Sequence, residues 1–253
     1  MDRNSAIGFF DSGVGGVSVL RDAVRLLPRE RFLYYGDNLN APYGTKSEDT
    51  IRTLATHVAD VLLSYDIKAL VIACNTATSA AAASLRARLS IPVIGMEPAL
   101  KPASMLWRGG RILVLATPAT LRQEKFRLLS EKYGEHAVVR PCAGLMELVE
   151  AGELESERLD DYLRGVLEDY RGVQLDAVVL GCTHYVFLKR ALARLLPGVP
   201  LVDGNEGTAR RLQSLLDQGN LLREAGEGSV RFMTSGDEAV FIPLMERLYQ
   251  VPV

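Results

Sequence analysis

The chain has 253 residues, 48% apolar and 24% charged, with a formal net charge of −2. It is long enough for one large core or two smaller ones, and the near-neutral charge excludes a broad nucleic-acid-binding face. Three cysteines without paired spacing exclude a disulfide framework and point to a reducing compartment. With no CxxC, HExxH or His-rich tract, a dedicated metal site is not expected.

Residues 1–5 run straight into a short apolar stretch and leave no room for a signal peptide. Ala6 to Phe10 reads as a strand. Asp11-Ser12-Gly13-Val14-Gly15-Gly16 is a glycine-rich turn, and Val17 to Leu27 has helical spacing with Pro28 as its stop. The turn is not GxGxxG, and Gly44-Thr45-Lys46-Ser47 is not a P-loop, so neither predicts phosphate binding. Arg31 to Tyr35 is a second strand ending at Gly36-Asp37. A polar loop from Asn38 to Ser47 follows, with Ala41-Pro42-Tyr43-Gly44 inside it. Ser47 is placed to cap a helix from Glu48 to Ser64.

The apolar run Ala69 to Ala73 reads as a buried strand that ends in Cys74, Asn75 and Thr76, with a helix expected from Ala80 to Leu89. It belongs to the longest uncharged stretch, Ala69 to Leu85, which holds Asn75 and several hydroxyl residues and is a poor membrane span. Ile91 to Gly95 is a fourth strand. A second series begins with a strand from Arg111 to Ala116 and a helix from Leu121 to Tyr133. A strand from Ala137 to Arg140 follows, then helices at Leu145–Ala151 and Ser156–Tyr170. The apolar run after Asp176 leads into Gly181-Cys182-Thr183-His184-Tyr185. A helix (Phe187 to Leu196) and a strand (Val199 to Asp203) come next. The tail reads as helix, strand, helix and is too short to be a domain, so it should pack back onto the first half.

The two series match in position. Asp11 corresponds to Thr117 and Gly36 to Cys142 at an offset of 106, and Cys74 to Cys182 and Pro92 to Pro200 at 108. Strand ends at nearly constant offset imply a duplicated set of β–α units and two pseudo-symmetric, mainly parallel α/β domains. The expected division is 1–98 plus 207–253 for a discontinuous first domain and 99–206 for the second. Ligands bind beyond the carboxyl ends of such strands, and Asp11, Asp37, Cys74 and Cys182 all lie there. A site in the cleft between the halves would bring the two thiols face to face. A buried cysteine is ordinarily a small core hydrophobe, and Cys142 is read that way. The paired strand–Cys–hydroxyl context sets Cys74 and Cys182 apart. Asp11 could simply cap the following helix, Glu150 could be a solvated helix residue, and Asp37 could be a turn former. His57 and His136 read as structural or exposed.

The blocks at Asp11–Gly16, Ala41–Gly44, Ala73–Thr78 and Gly181–Tyr185 together resemble the signature blocks of the glutamate racemases, with lesser similarity at Gly95–Ala99 and Leu148–Gly152. The resemblance runs from residue 7 to about 209. It implies two pseudo-symmetric α/β domains and cofactor-independent interconversion of L- and D-glutamate for peptidoglycan in the bacterial cytoplasm. It also implies a small-molecule substrate, no nucleic-acid or membrane partner, and a homodimer, since family members are often dimers. By the same resemblance Cys74 and Cys182 are the acid–base pair. Asp11 assists Cys74, and His184 and Glu150 assist Cys182. Asp11, Ser12, Tyr43, Gly44, Asn75, Thr76, Thr183 and His184 hold the amino acid. Gly36, Gln123, Val186 and Gly204 depart from the family pattern without removing a proposed acid–base group.

The chemistry fits these residue types. Racemisation removes a weakly acidic proton from one face of the α-carbon and returns one to the other, so it needs two groups that can swap roles. A free thiol has a pKa near 8.5, and a helix N-terminus or a nearby Asp or His can tune it. Hydroxyls, an amide and backbone N–H groups at the strand-to-helix turns suit a substrate carboxylate. Pyridoxal phosphate would need a Schiff-base lysine, and no lysine sits in such a block. Aspartate or hydantoin racemisation by the same two-thiol logic, and a two-lobed small-molecule binding protein, are the competing readings.

Overall fold

The computed structural model describes residues 2–252. The chain divides into two compact units, one of the residues up to Met96 together with Asn205–Gln250, the other centred on Glu97–Gly204. The expected divisions were 98/99 and 206/207.

The first unit opens with β1 (Ala6–Asp11), α1 (Val17–Leu26), β2 (Arg31–Gly36), α2 (Glu48–Leu63), β3 (Ile67–Ile72), α3 (Asn75–Arg88) and β4 (Val93–Gly95). The second contains α4 (Leu100–Ser104), β5 (Arg111–Ala116), α5 (Pro118–Arg122), α6 (Glu124–Tyr133), β6 (Ala137–Pro141), α7 (Leu145–Glu150), α8 (Glu157–Leu167), β7 (Leu175–Leu180), α9 (Lys189–Leu195) and β8 (Leu201–Val202). The chain then supplies α10 (Asn205–Gln218), β9 (Ser229–Thr234) and α11 (Glu238–Gln250) to the first unit.

Every strand pairing is parallel. The first sheet has the order β4-β3-β1-β2-β9 and the second β6-β5-β7-β8. With β5 to β8 set against β1 to β4, the second order repeats the first without β9, which is the topology that the duplicated strand ends predict. The inner strands are apolar on both faces because helices cover both. On one face of the first sheet, Ile51, Ala55, Val58 and Leu62 of α2 pack with Ala77, Ala81 and Leu85 of α3 over Phe10, Leu70 and Ile72. On the other, α1 packs against α10 and α11, with Leu20, Leu212, Leu216, Met245 and Leu248 buried. The tail thus closes the first unit, and β9 pairs with β2 from Ser229 to Thr234.

Several expected elements differ in extent. α3 starts at Asn75, not Ala80, because Cys74 itself caps it. Polar residues of low helix propensity are tolerated in a first turn, whose N–H groups have no helical partner. The expected helix from Leu121 to Tyr133 is two helices broken at Gln123, which is extended with ψ 138°. α5 starts where Pro118 occupies the first turn and the Thr117 hydroxyl accepts from the Thr120 N–H. The residues after Cys182 form a 3-10 helix, Thr183–Leu188, and α9 then runs only to Leu195. The strand expected at Val199–Asp203 is only Leu201–Val202. α4 was not expected. The polar loop holds two 3-10 turns, Asn38–Asn40 and Tyr43–Thr45.

Candidate active site

In the first unit the carboxyl ends of β1 and β3 are drawn together by backbone pairing, with Ala73 N–H donating to Phe10 O at 2.8 Å. Gly16, at the head of α1, makes this possible. A Cβ there would lie 2.8 Å from Asp11 Cβ and 2.9 Å from Ala73 Cβ, closer than real side chains approach. Asp11 is buried, and its Oδ1 accepts from the Gly13 N–H at 2.7 Å and the Ser12 hydroxyl at 3.4 Å. Cys74 Sγ lies 3.7 Å from Ser12 Oγ, with the thiol as donor. A chain therefore leads from thiol to hydroxyl to carboxylate. The same sulfur accepts the Ala77 N–H at 3.4 Å as the N-cap of α3. Charge on the sulfur meets a backbone donor and the positive end of the helix.

Asn75 and Thr76 lie in the buried first turn of α3. Tyr43 is buried in the apolar cluster that contains Cys74, with Gly44 beside it in the 3-10 turn. The Tyr43 hydroxyl donates to Asp37 Oδ2 at 2.6 Å. Burial, then this bond to Asp37, hold the Tyr43 phenol well above its ordinary range, so it stays a donor.

In the second unit Gly181 and Cys182 follow β7. Gly181 N–H donates to Leu115 O at 2.7 Å, and a Cβ on Gly181 would lie 2.9 Å from Leu115 O and from Ala116 Cβ. Cys182 is partly exposed. Its Sγ is 3.7 Å from His184 Nδ1, and His184 Nε2 is 2.8 Å from Glu150 Oε1 at the end of α7. The sequence places Glu150 and His184 34 residues apart, and the packing of α7 on the 3-10 helix closes the gap. His184 and Thr183 are buried. Burial alone would push the His184 imidazolium toward neutrality. The hydrogen bonds to Cys182 and Glu150 outweigh it and leave the His184 pKa well above 6.5.

Each thiol therefore has its own proton partners. Cys74 has the Ser12 hydroxyl, with Asp11 behind it, and a helix N–H. Cys182 has an imidazole backed by a carboxylate. Cys142 is buried with its Sγ turned to Arg140 O, and burial pushes its pKa to about 12, as befits a core residue. His57 is exposed on α2, and His136 stacks on Trp107 at 3.9 Å. Among the described residues no group of three or more His, Cys, Asp or Glu side chains is placed to hold a metal ion, and no helix is long and apolar enough to cross a membrane.

Sequence reasoning undervalued Asp37, read as a possible turn former. It is buried and accepts from Tyr43, from Asn40 at 3.0 and 3.2 Å, and from the Ser235 hydroxyl at 2.7 Å. The available signal was its place directly after β2, one residue beyond Gly36, which pairs with Asp11 at the end of β1.

Two parallel α/β units of matching strand order, each with a cysteine at the turn after its third strand, define a duplicated two-thiol α/β protein. The chain belongs to the Asp/Glu/Hydantoin racemase family, which it matches over residues 7–212. It is 49% identical to the glutamate racemase of Clostridium acetobutylicum, over 97% of this chain and 98% of that protein. Among solved structures it is similar to Thermus thermophilus glutamate racemase in complex with β-chloro-D-alanine, with a TM-score of 0.83, 39% identity, and coverage of 100% of this chain and 96% of that one. It is also similar to Escherichia coli glutamate racemase in complex with L-glutamate and the activator UDP-MurNAc-Ala, with a TM-score of 0.84, 32% identity, and coverage of 96% and 95%.

Proposed function

We propose that this protein interconverts L- and D-glutamate without a cofactor, with Cys74 and Cys182 as the two proton-transfer groups. The observation that carries the reading is the pair of matched strand ends, each presenting a thiol with a proton partner of its own. Identity of 49% to a glutamate racemase across nearly the whole chain supports glutamate as the substrate. The similarity to Picrophilus torridus aspartate racemase, 14% identical with a TM-score of 0.54, speaks to the fold alone.

In one direction a thiolate removes the α-proton, and the electron pair left on carbon is delocalised into the α-carboxylate. The other thiol then gives its proton to the opposite face, and the two sulfurs exchange roles in reverse. The reaction requires one thiolate and one thiol at each turnover. Ser12 and Asp11 would serve the Cys74 side, and His184 and Glu150 the Cys182 side. The raised pKa of His184 suits a group that returns a proton to sulfur. Ser12, Tyr43, Gly44, Asn75, Thr76, Thr183 and His184, with Asp11, would hold the substrate, and donors around its carboxylate stabilise the developing charge. D-glutamate made this way would supply peptidoglycan precursors in the bacterial cytoplasm, and the protein would act as a homodimer.

The test is incubation of purified protein with L-glutamate in deuterated water, without added cofactor or metal, followed by proton NMR and circular dichroism. Loss of the Cα proton signal with decay of optical activity to zero is expected. Turnover of aspartate or a hydantoin instead would reassign the substrate. Binding of glutamate without turnover would replace the enzyme by a binding protein.

A further inference from the structure

The tail that returns to the first unit reaches the candidate site. Ser235, directly after β9, donates its hydroxyl to Asp37 Oδ1 at 2.7 Å. The same Ser235 oxygen accepts the Leu39 N–H at 3.1 Å, and the Ser235 N–H donates to Gly36 O at 3.1 Å. Its hydroxyl and its N–H are thus tied to the end of β2 and the residues that follow it. Its neighbour Thr234 donates to Asn38 Oδ1 at 2.8 Å and accepts the Gly236 N–H at 3.0 Å. Asp37 passes the connection on. Its Oδ2 receives the Tyr43 hydroxyl at 2.6 Å, and both its oxygens receive Asn40. Its N–H donates to Asp11 O at 3.0 Å.

One carboxylate therefore joins three segments, the 3-10 turn at Asn38–Asn40, the turn that carries Tyr43 and Gly44, and a tail residue 198 positions from Asp37 in the sequence. Its donors are a phenol, an amide and a hydroxyl. Bonds to a carboxylate are stronger and more directional than those between neutral groups, so losing one donor releases a constraint on the others. Ser235 alone among the three lies outside the loop that the network shapes. Asn40 and Tyr43 move with that loop, whereas Ser235 is fixed to the sheet by β9.

We propose that Ser235 is a positioning residue that sets the Tyr43–Gly44 turn through Asp37. The inference rests on the reading above that this turn holds glutamate. It also gives the returning tail a functional role beyond closing the sheet.

The experiment compares wild type, Ser235→Ala, Ser235→Thr, Tyr43→Phe and the double variant Ser235→Ala/Tyr43→Phe. Steady-state racemisation of glutamate is followed by circular dichroism, and hydrogen exchange of residues 38–46 by mass spectrometry. Ser235→Ala is expected to raise KM about three- to tenfold, the factor that one hydrogen bond is worth, with kcat changed less than about twofold. Ser235→Thr, which keeps the hydroxyl, should restore KM. In the Tyr43→Phe background the Ser235→Ala effect should fall below about twofold, because coupled residues are not additive. Residues 38–46 should exchange faster in Ser235→Ala. An unchanged KM, an equal effect with and without the Tyr43 hydroxyl, or unaltered exchange would each overturn the proposal. Absence of glutamate turnover in wild type would instead remove the functional reading, and the exchange comparison would still decide whether Ser235 orders the turn.

Discussion

Lys68 and Asp176 occupy the same place in the two sheets. In the pairing of β1 with β3 the register passes from Ala6–Ile67 to Ile7–Ala69, leaving Lys68 as the extra residue. In the pairing of β5 with β7 it passes from Arg111–Leu175 to Ile112–Ala177, leaving Asp176. Both residues use the irregularity to satisfy backbone groups, with opposite charge. Lys68 donates to Arg3 O at 2.6 Å and Leu221 O at 2.8 Å. Asp176 accepts the Arg108 N–H at 2.6 Å and the Gly110 N–H at 2.8 Å. A shared bulge at an offset of 108 residues supports the duplication independently of the cysteines.

Lys68 also pairs with Glu30 Oε2 at 2.5 Å, both side chains being almost wholly buried, and Glu30 Oε1 accepts the Arg223 N–H at 2.9 Å. The pair fastens the segment between α10 and β9 to the sheet. Lys68→Met would leave a buried carboxylate without its cation and should destabilise the first unit by about 3–5 kcal/mol, read from urea unfolding. Asp176→Asn should lower the unfolding midpoint less, because water can reach Asp176 and replace what is lost.

The two thiols give the sharpest activity test. Cys74→Ala and Cys182→Ala should each lower kcat by about 10²- to 10⁴-fold, the usual contribution of a positioned acid or base, while glutamate binding persists in calorimetry. Full activity in either variant would remove that sulfur from the mechanism. Cys142→Ala, in the core of the second unit, should leave kcat within about twofold, since nothing in the reaction uses it.

His184 links stability to pH. Its folded pKa lies well above 6.5, so above that value the native state binds more protons than the unfolded chain. The stabilisation is complete below about pH 6.5 and is lost as pH rises through the raised value. Urea midpoints should therefore fall from about pH 6.5 upward through the neutral and alkaline range. His184→Gln should flatten that part of the profile. An unchanged slope in the variant would show that other groups carry it.

Glycines separate close approach from open surface. Gly181→Ala would press a Cβ against Leu115 O, a backbone atom fixed by the sheet, at 2.9 Å. Overpacking of this kind costs about 1–3 kcal/mol and should shift Cys182 enough to lower activity. Gly165 lies within α8, and nothing is within 4 Å of a Cβ there. Gly165→Ala should stabilise the protein by about 0.5–1 kcal/mol. Thermal melts of the two variants should move in opposite directions.

The alternation of strand and helix, the parallel class of the sheets, and the strand-end positions of Asp11, Cys74 and Cys182 were all legible in the chain. Those properties are written in local apolar runs and turn residues that neighbouring positions enforce. The chain also carried the matched strand ends, because duplication leaves a constant offset. Tertiary structure decided what local pattern does not encode. The apolar run reads as a strand from Ala69, yet the strand starts at Ile67 and takes in the charged Lys68, which lies buried because Glu30 and two carbonyls from distant segments meet it. Glu150 reads equally as a solvated helix residue until α7 brings it to His184. Asp37 reads as a turn former until β9 delivers Ser235 to it. A hydrogen bond between segments far apart in the chain leaves no period in either segment, so only the packed sheet reveals it.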